Sequence, residues 1–264
     1  MSRSKNLIII FVLMTLLLSC LLIYHKGSLE NNNIKTLFIY CAAGVKPPMF
    51  EVAQIFEKKS GIKIQFQYGG SGTLLSSLEI SQIGDMYLAA DSSYIEIASN
   101  KGLIKKSIPL AMIHPVVAVT AGNPKKIKNI ADLKNKNISI SFANPSTASI
   151  GKQAKKLLVK SGDWTEIEKN IYKNGVFKPS VPEVANDLLL GAVDAGIVWD
   201  ATVAQFDELI AIEIPEFHHA KMSVSIGELS FSKKNEETKL FINFLRSMTV
   251  QQIFLDNGYS AIKR

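Results

Sequence analysis

From Lys35 onward the chain alternates apolar, strand-length runs with helix-period segments, and each switch from strand to helix falls on small residues. That alternation constrains the fold more than any other feature. "KTLFIYCAAG" reads as a buried strand ending in small residues. "PPMFEVAQIFEKKSG" reads as a helix: Phe50, Val52, Ala53, Ile55 and Phe56 share a face, Pro47 or Pro48 suits the first turn, and Gly61 suits the stop. "IKIQFQYGG" alternates as a strand, "TLLSSLEISQ" is helical, "DMYLAAD" is a third strand, and "SYIEIASNKGLI" is a core-facing helix stopped by Gly102. Strands alternating with helices predict an α/β protein whose mainly parallel sheets are covered on both faces.

"IPLAMIHPVVAVTAGNP" is long, apolar and broken at His114-Pro115. Proline fits poorly inside a central strand, so this run is read as leaving one lobe and entering another. "ISISFA", "SIGKQAKKLLVKSG" and "VPEVANDLLLGAVDAGIVWD" restart the cycle. "KMSVSIGELSFSK" is the return crossing, and "NEETKLFINFLRSMTVQQIFLDNGY" supplies two terminal helices. The expected organisation is two α/β lobes with two chain crossings at the hinge. Lobe one takes 35–113 plus 223–264, and lobe two takes 114–222.

The first 26 residues differ in kind. Arg3 and Lys5 precede the apolar run "LIIIFVLMTLLLSCLLIY", which has the character of an export signal. "LLSC" resembles a lipoprotein signal with Cys20 as the lipidation candidate, while the whole run is also long enough to stay as an uncleaved helix. Both readings place the rest of the chain outside the cytoplasm and tied to a membrane, with residues 27–34 as a tether. Cys41 is then the one other cysteine, read as a buried thiol, so neither a disulfide framework nor zinc spacing exists.

In open sheets of this kind, ligands sit beyond the carboxyl ends of the strands, where helix starts converge. The junctions after Cys41, Tyr68, Ala90, Phe142 and Val198 are the candidates. They hold Ala42-Ala43-Gly44, then Gly69-Gly70-Ser71-Gly72-Thr73, then the hydroxyl-rich run from Asn144 to Gly151. Small residues let a guest approach backbone N–H groups. A helix start offers unpaired donors and partial positive charge, which is an anion site without lysine. Each corner taken singly is equally an ordinary helix cap or turn. The functional reading depends on several meeting in one cleft.

"YCAAGV", "FEVAQIFEKKSGIKIQFQYGGSGTL", "GDMYLAAD", "ANPSTASIGKQAKKLL" and "AVDAGIVWDA" together resemble periplasmic molybdate-binding proteins of ABC importers, in the expected order from Lys35 to Ile262. The resemblance implies a two-lobed, class II type periplasmic-binding-protein fold that closes on an oxyanion, with no enzyme activity and no cofactor. It carries the family's ligand positions onto Gly44 (where the family has a serine), Ser71, the backbone at Ile150 and Val184, and Trp199 (where the family has a tyrosine). The N–H groups around Gly44 and Gly72 complete the expected set. The acidic metal ligands of some archaeal relatives fall near Ala148 and Val198, neither acidic here. Molybdate or tungstate is the expected guest and an ABC permease the expected partner. The alternatives are another anion (sulfate, an organic acid or an organic phosphate) or a membrane-tethered sensor module. A monomer is expected.

Other classes fit poorly. The net charge of +7 is spread along the chain without aromatic platforms, which argues against nucleic acid. "GGSGT" lacks the final glycine of a nucleophile elbow, and "SIGKQ" is not a phosphate-binding P-loop. His218-His219 has no third metal ligand at useful spacing and reads as a polar loop. Asp91 is read as a helix cap, His114 as a crossing residue, Trp164 as packing or surface. Asp200, next to Trp199, would repel an anion unless turned away or paired.

Overall fold

The structure is a computed structural model that describes residues 14, 15, 19, 35–217 and 220–262. The tether, Cys20, His218 and His219 lie outside these residues, as does the N-terminal segment apart from positions 14, 15 and 19. Among the described residues, no helix is long and apolar enough to cross a membrane.

Period-two patterning explains the first sheet. On β1 (Thr36–Ala42), Leu37, Ile39 and Cys41 face one core cluster while Tyr40 faces another. β3 (Met86–Ala89) repeats this with Met86 and Leu88 against Tyr87 and Ala89. Both faces are therefore covered. One carries α1 (Lys46–Ser60) with the terminal helices α8 (Asn235–Leu245) and α9 (Met248–Asp256), where Phe56 meets Phe241 edge-on at 4.8 Å. The other carries α2 (Ser71–Ser81) and α3 (Ser92–Asn100), whose Leu74, Leu78, Ile95 and Ala98 join Tyr40 and Tyr87.

The strand order of this sheet is β2 (Lys63–Gly69), β1, β3, β10 (Met222–Leu229), β4 (Ile104–Ile113). β1 pairs in parallel with β2 and β3, whereas β10 runs antiparallel to both β3 and β4. The second sheet has the order β7 (Val176–Lys178), β6 (Ile140–Ala143), β8 (Ala195–Trp199), β5 (Pro115–Thr120), β9 (Leu209–Ile212). β6 pairs in parallel with β7 and β8, and β5 runs antiparallel to β8 and β9. The sheets are thus mixed. The strand–helix units supply the parallel pairs, and the strands that enter or leave a lobe supply the antiparallel ones, because they arrive from the opposite direction. Pro115 sits at the first position of β5, where a missing N–H is tolerated.

One residue, His114, separates β4 of the first sheet from β5 of the second, and β10 returns the chain. The second lobe's sheet is flanked by α4 (Ser149–Ser161), α5 (Trp164–Asn174) and α6 (Val181–Leu189), and the short α7 (Asp200–Val203) follows β8. Trp164 is buried and packs on Phe142 at 5.3 Å. Cys41 is fully buried, and desolvation holds its thiol far above the usual range.

Candidate functional site

The carboxyl ends of β1, β2, β3, β6 and β8 all open onto one hollow between the lobes. Lobe one contributes Ala42–Gly44, Gly69–Ser71 and Ala90. Lobe two contributes Ala148–Ile150, Ser180 with Val181, and Trp199. Among the described residues, no lysine, arginine, aspartate or glutamate lines it. About 20 Å3 is open to the centre of a water molecule. If round, such a hollow has a radius of roughly 3 Å, close to that of a compact tetrahedral oxyanion.

The donors come from helix starts. α2, α4 and α6 each begin at the hollow, after Gly70, Ala148 and Ser180. First-turn N–H groups have no helical acceptor, and those of Ser71, Ser149, Ile150 and Val181 bond to no other backbone group among the described residues. Each start also carries partial positive charge. The fourth corner is a 3-10 turn, Ala43–Val45, running into α1. Its Gly44 carbonyl accepts from the Tyr259 hydroxyl at 2.8 Å, and burial keeps that phenol neutral.

Ser71 is the most fully engaged of these residues. Its Oγ accepts from the Ala90 N–H at 3.3 Å and from the Ser149 hydroxyl, across the cleft, at 2.7 Å. A hydroxyl has two acceptor sites and one donor, so the Ser71 proton is left to donate. Its carbonyl is held by the buried Tyr87 hydroxyl at 2.7 Å. Trp199 is 3 % exposed and walls one side of the hollow.

Of the residues singled out from sequence, Gly44, Ser71, Ile150 and Trp199 border the hollow, and Gly72 and Val184 do not. The Gly72 N–H donates instead to the Thr147 carbonyl of the other lobe at 2.9 Å. Val184 is fully buried, and as the fourth residue of α6 its N–H falls to the Ser180 carbonyl in the ordinary helical register. Val181, at the start of the same helix, borders the hollow. The available signal was Pro182: proline marks the first turn, so open donors precede it. A Cβ on Gly44 would lie 2.7 Å from Val181 Cγ1, so the valine occupies the space that a serine side chain at position 44 would need.

Asp200 turns away from the hollow. Its Oδ1 accepts from the His114 N–H at 3.0 Å, and its Oδ2 lies 2.7 Å from His114 Nδ1. Burial raises its carboxyl above the usual range, opposed by these contacts. Across the imidazole, Nε2 lies 3.5 Å from Glu213. Asp91 caps α3 through the Ser93 N–H at 2.9 Å. No cluster of potential metal ligands occurs among the described residues.

Two α/β lobes that meet over a hollow of helix starts define a two-lobed solute-binding protein. The chain belongs to the bacterial extracellular solute-binding protein family, whose profile matches residues 37–260. This is a family of binding proteins, not of enzymes. The molybdate-binding protein ModA of Mycobacterium tuberculosis H37Rv is 23% identical over 218 residues, covering 81% of this chain and 79% of its own. Among solved structures, the periplasmic molybdate-binding protein of Azotobacter vinelandii superposes with a TM-score of 0.73 at 17% identity, covering 86% of this chain and 100% of its own. The sulfate-binding protein SubI of Mycobacterium tuberculosis H37Rv superposes with a TM-score of 0.75 at 16% identity, covering 87% and 88%. The fold is thus the two-lobed periplasmic-binding-protein fold.

Proposed function

We propose that the chain is the extracytoplasmic receptor of an ABC importer and captures a small, fully ionised tetrahedral oxyanion, molybdate or tungstate foremost, between its lobes. The carrying observation is the hollow itself: roughly 3 Å in radius, bordered by helix starts of both lobes and lined by no charged side chain among the described residues. Several directed donors offset the desolvation of a buried anion. No carboxylate lines the hollow among the described residues, so a protonated anion such as hydrogen phosphate lacks an anionic acceptor for its proton there, whereas molybdate, tungstate and sulfate need none. Sulfate is the smallest of these and makes fewer close contacts in a hollow shaped for a larger tetrahedral guest. The ligand set is Ser71 with the backbone at Gly44, Ile150 and Val181, walled by Trp199. The N-terminal segment holds this monomeric receptor at the membrane, through lipid on Cys20 or as an uncleaved helix, beside the permease that receives the guest.

Titration calorimetry with molybdate, tungstate, sulfate and phosphate is the test. Molybdate and tungstate are expected to bind more tightly than sulfate, and phosphate most weakly. Absence of heat with all four removes the inorganic-anion reading. A second reading is an organic acid or phosphate. It is favoured by a neighbouring cavity of about 130 Å3 that shares Ala43 and Gly44 with the hollow and is walled by Pro47, Pro182 and Phe206. Native mass spectrometry of the purified protein separates the two by the mass of the retained guest.

A further inference from the structure

We propose that Gln153 and Lys152 of lobe two, with Asp91 and Ser93 of lobe one, form a latch outside the anion hollow that raises affinity for any guest without choosing among guests. The Gln153 amide donates to Asp91 Oδ2, and both side chains are buried, at 6% and 2% exposure. The neighbouring Lys152 ammonium donates to Ser93 Oγ at 3.0 Å and lies over the Tyr94 ring, 4.4 Å from its centre. None of these residues borders the hollow.

The acceptor half is assembled within lobe one. Asp91 already receives the Ser93 N–H and the Ser93 hydroxyl, at 2.9 and 2.8 Å, as the cap of α3. Its carboxylate is therefore held in place before the other lobe arrives. The donor half is two consecutive residues on the first turns of α4, the helix whose start borders the hollow. Closing the lobes brings the Gln153 amide onto a charged, pre-positioned acceptor, and opening them separates the pair. A contact made only in the closed form shifts the open–closed equilibrium by the same factor for every ligand. A hydrogen bond to a charged group corresponds to about 10- to 100-fold in such an equilibrium.

The inference deepens the reading of the cleft as an oxyanion site. Gln153→Leu keeps the volume and removes the donor. Lys152→Met, at a half-buried position, tests the second strut should the first variant fold poorly. Each is titrated with sodium molybdate, tungstate and sulfate. Both are expected to lose affinity for all three by a common factor, at least about 10-fold for Gln153→Leu, with the ratios among anions unchanged. Unchanged affinities overturn the latch, and so does a loss confined to one anion, which would make Gln153 a specificity group instead. Should wild type bind none of the three, the oxyanion reading fails by itself and ligand-free hydrogen exchange decides the latch. The Gly72 and Thr73 N–H groups bond to Thr147 across the cleft, so they are expected to exchange faster in Gln153→Leu. Equal protection overturns the proposal.

Discussion

Ser71 joins a strand end, a helix start and the opposite lobe through one side chain. With both acceptor sites engaged by Ala90 and Ser149, its proton is left over for a guest, whereas the Ser149 and Ser180 hydroxyls at the hollow donate to Ser71 and Glu183. Ser71→Ala is expected to weaken anion binding by about 1.5–3 kcal/mol, the range for a hydrogen bond to a charged group. Calorimetry checks this, and a change below about twofold would remove Ser71 from the ligand set. Asp200 belongs to the hinge. Burial raises its folded pKa above the ordinary value of 3.8. A raised acid contributes stability below its unfolded pKa, and that contribution is lost as pH rises through the folded pKa. Asn at this position keeps an acceptor for the His114 N–H and does not titrate. The melting temperature of Asp200→Asn minus that of wild type is therefore expected to become more positive over the window in which pH rises from the ordinary value of 3.8 through the raised folded pKa. A difference that falls over this window contradicts the assignment.

At the scale of elements, helix starts do the work that basic side chains do elsewhere. α2, α4 and α6 begin with Ser71, Ser149 and Val181, none carrying charge. Gly70, which precedes α2, has φ −65° and ψ 143°, a conformation open to any residue. Its glycine is required by proximity: a Cβ there would lie 2.3 Å from the Thr147 carbonyl oxygen and 2.7 Å from that of Pro179, both in lobe two. Gly70→Ala is expected to fold normally and to close poorly. Affinity should fall by about 1–3 kcal/mol, the scale of overpacking, while the ligand-free melting temperature stays within about 2 °C. A matching loss in both would mean that the contact supports the fold instead of the closure.

For the whole molecule, the described residues from Lys35 onward form one compact unit in which two sheets are joined through His114 and β10. A guest held by both lobes binds the native state alone, so it stabilises by mass action. Molybdate at about one hundred times its dissociation constant should add about 2.7 kcal/mol, or roughly 5–10 °C in melting temperature for a chain of this size. Differential scanning calorimetry reads this directly, and no shift under conditions where binding is otherwise demonstrated would place the guest outside the cleft.

The order of strands and helices was legible because it depends on local periodicity: Leu37, Ile39 and Cys41 declare a strand wherever they occur, and Gly61 and Gly162 stop helices by their left-handed backbone. The chemistry of the corners was legible too, since small and hydroxylic residues at helix starts are a local property. β9, a four-residue strand, passed unnoticed because so short a segment is defined by its pairing with β5 and not by its own pattern. What the tertiary structure alone decided is which donors remain for a guest. Gly72 looks as open as Ser71 in sequence, yet the Thr147 carbonyl occupies its N–H. Asp200 looks hostile to an anion, yet His114 takes it up. Gln153 shows no role in the sequence until Asp91 is brought beside it. The sequence by itself determined the elements and the small, uncharged corners between them. The identity of the free donors depends on partners remote along the chain, and only packing brings those together.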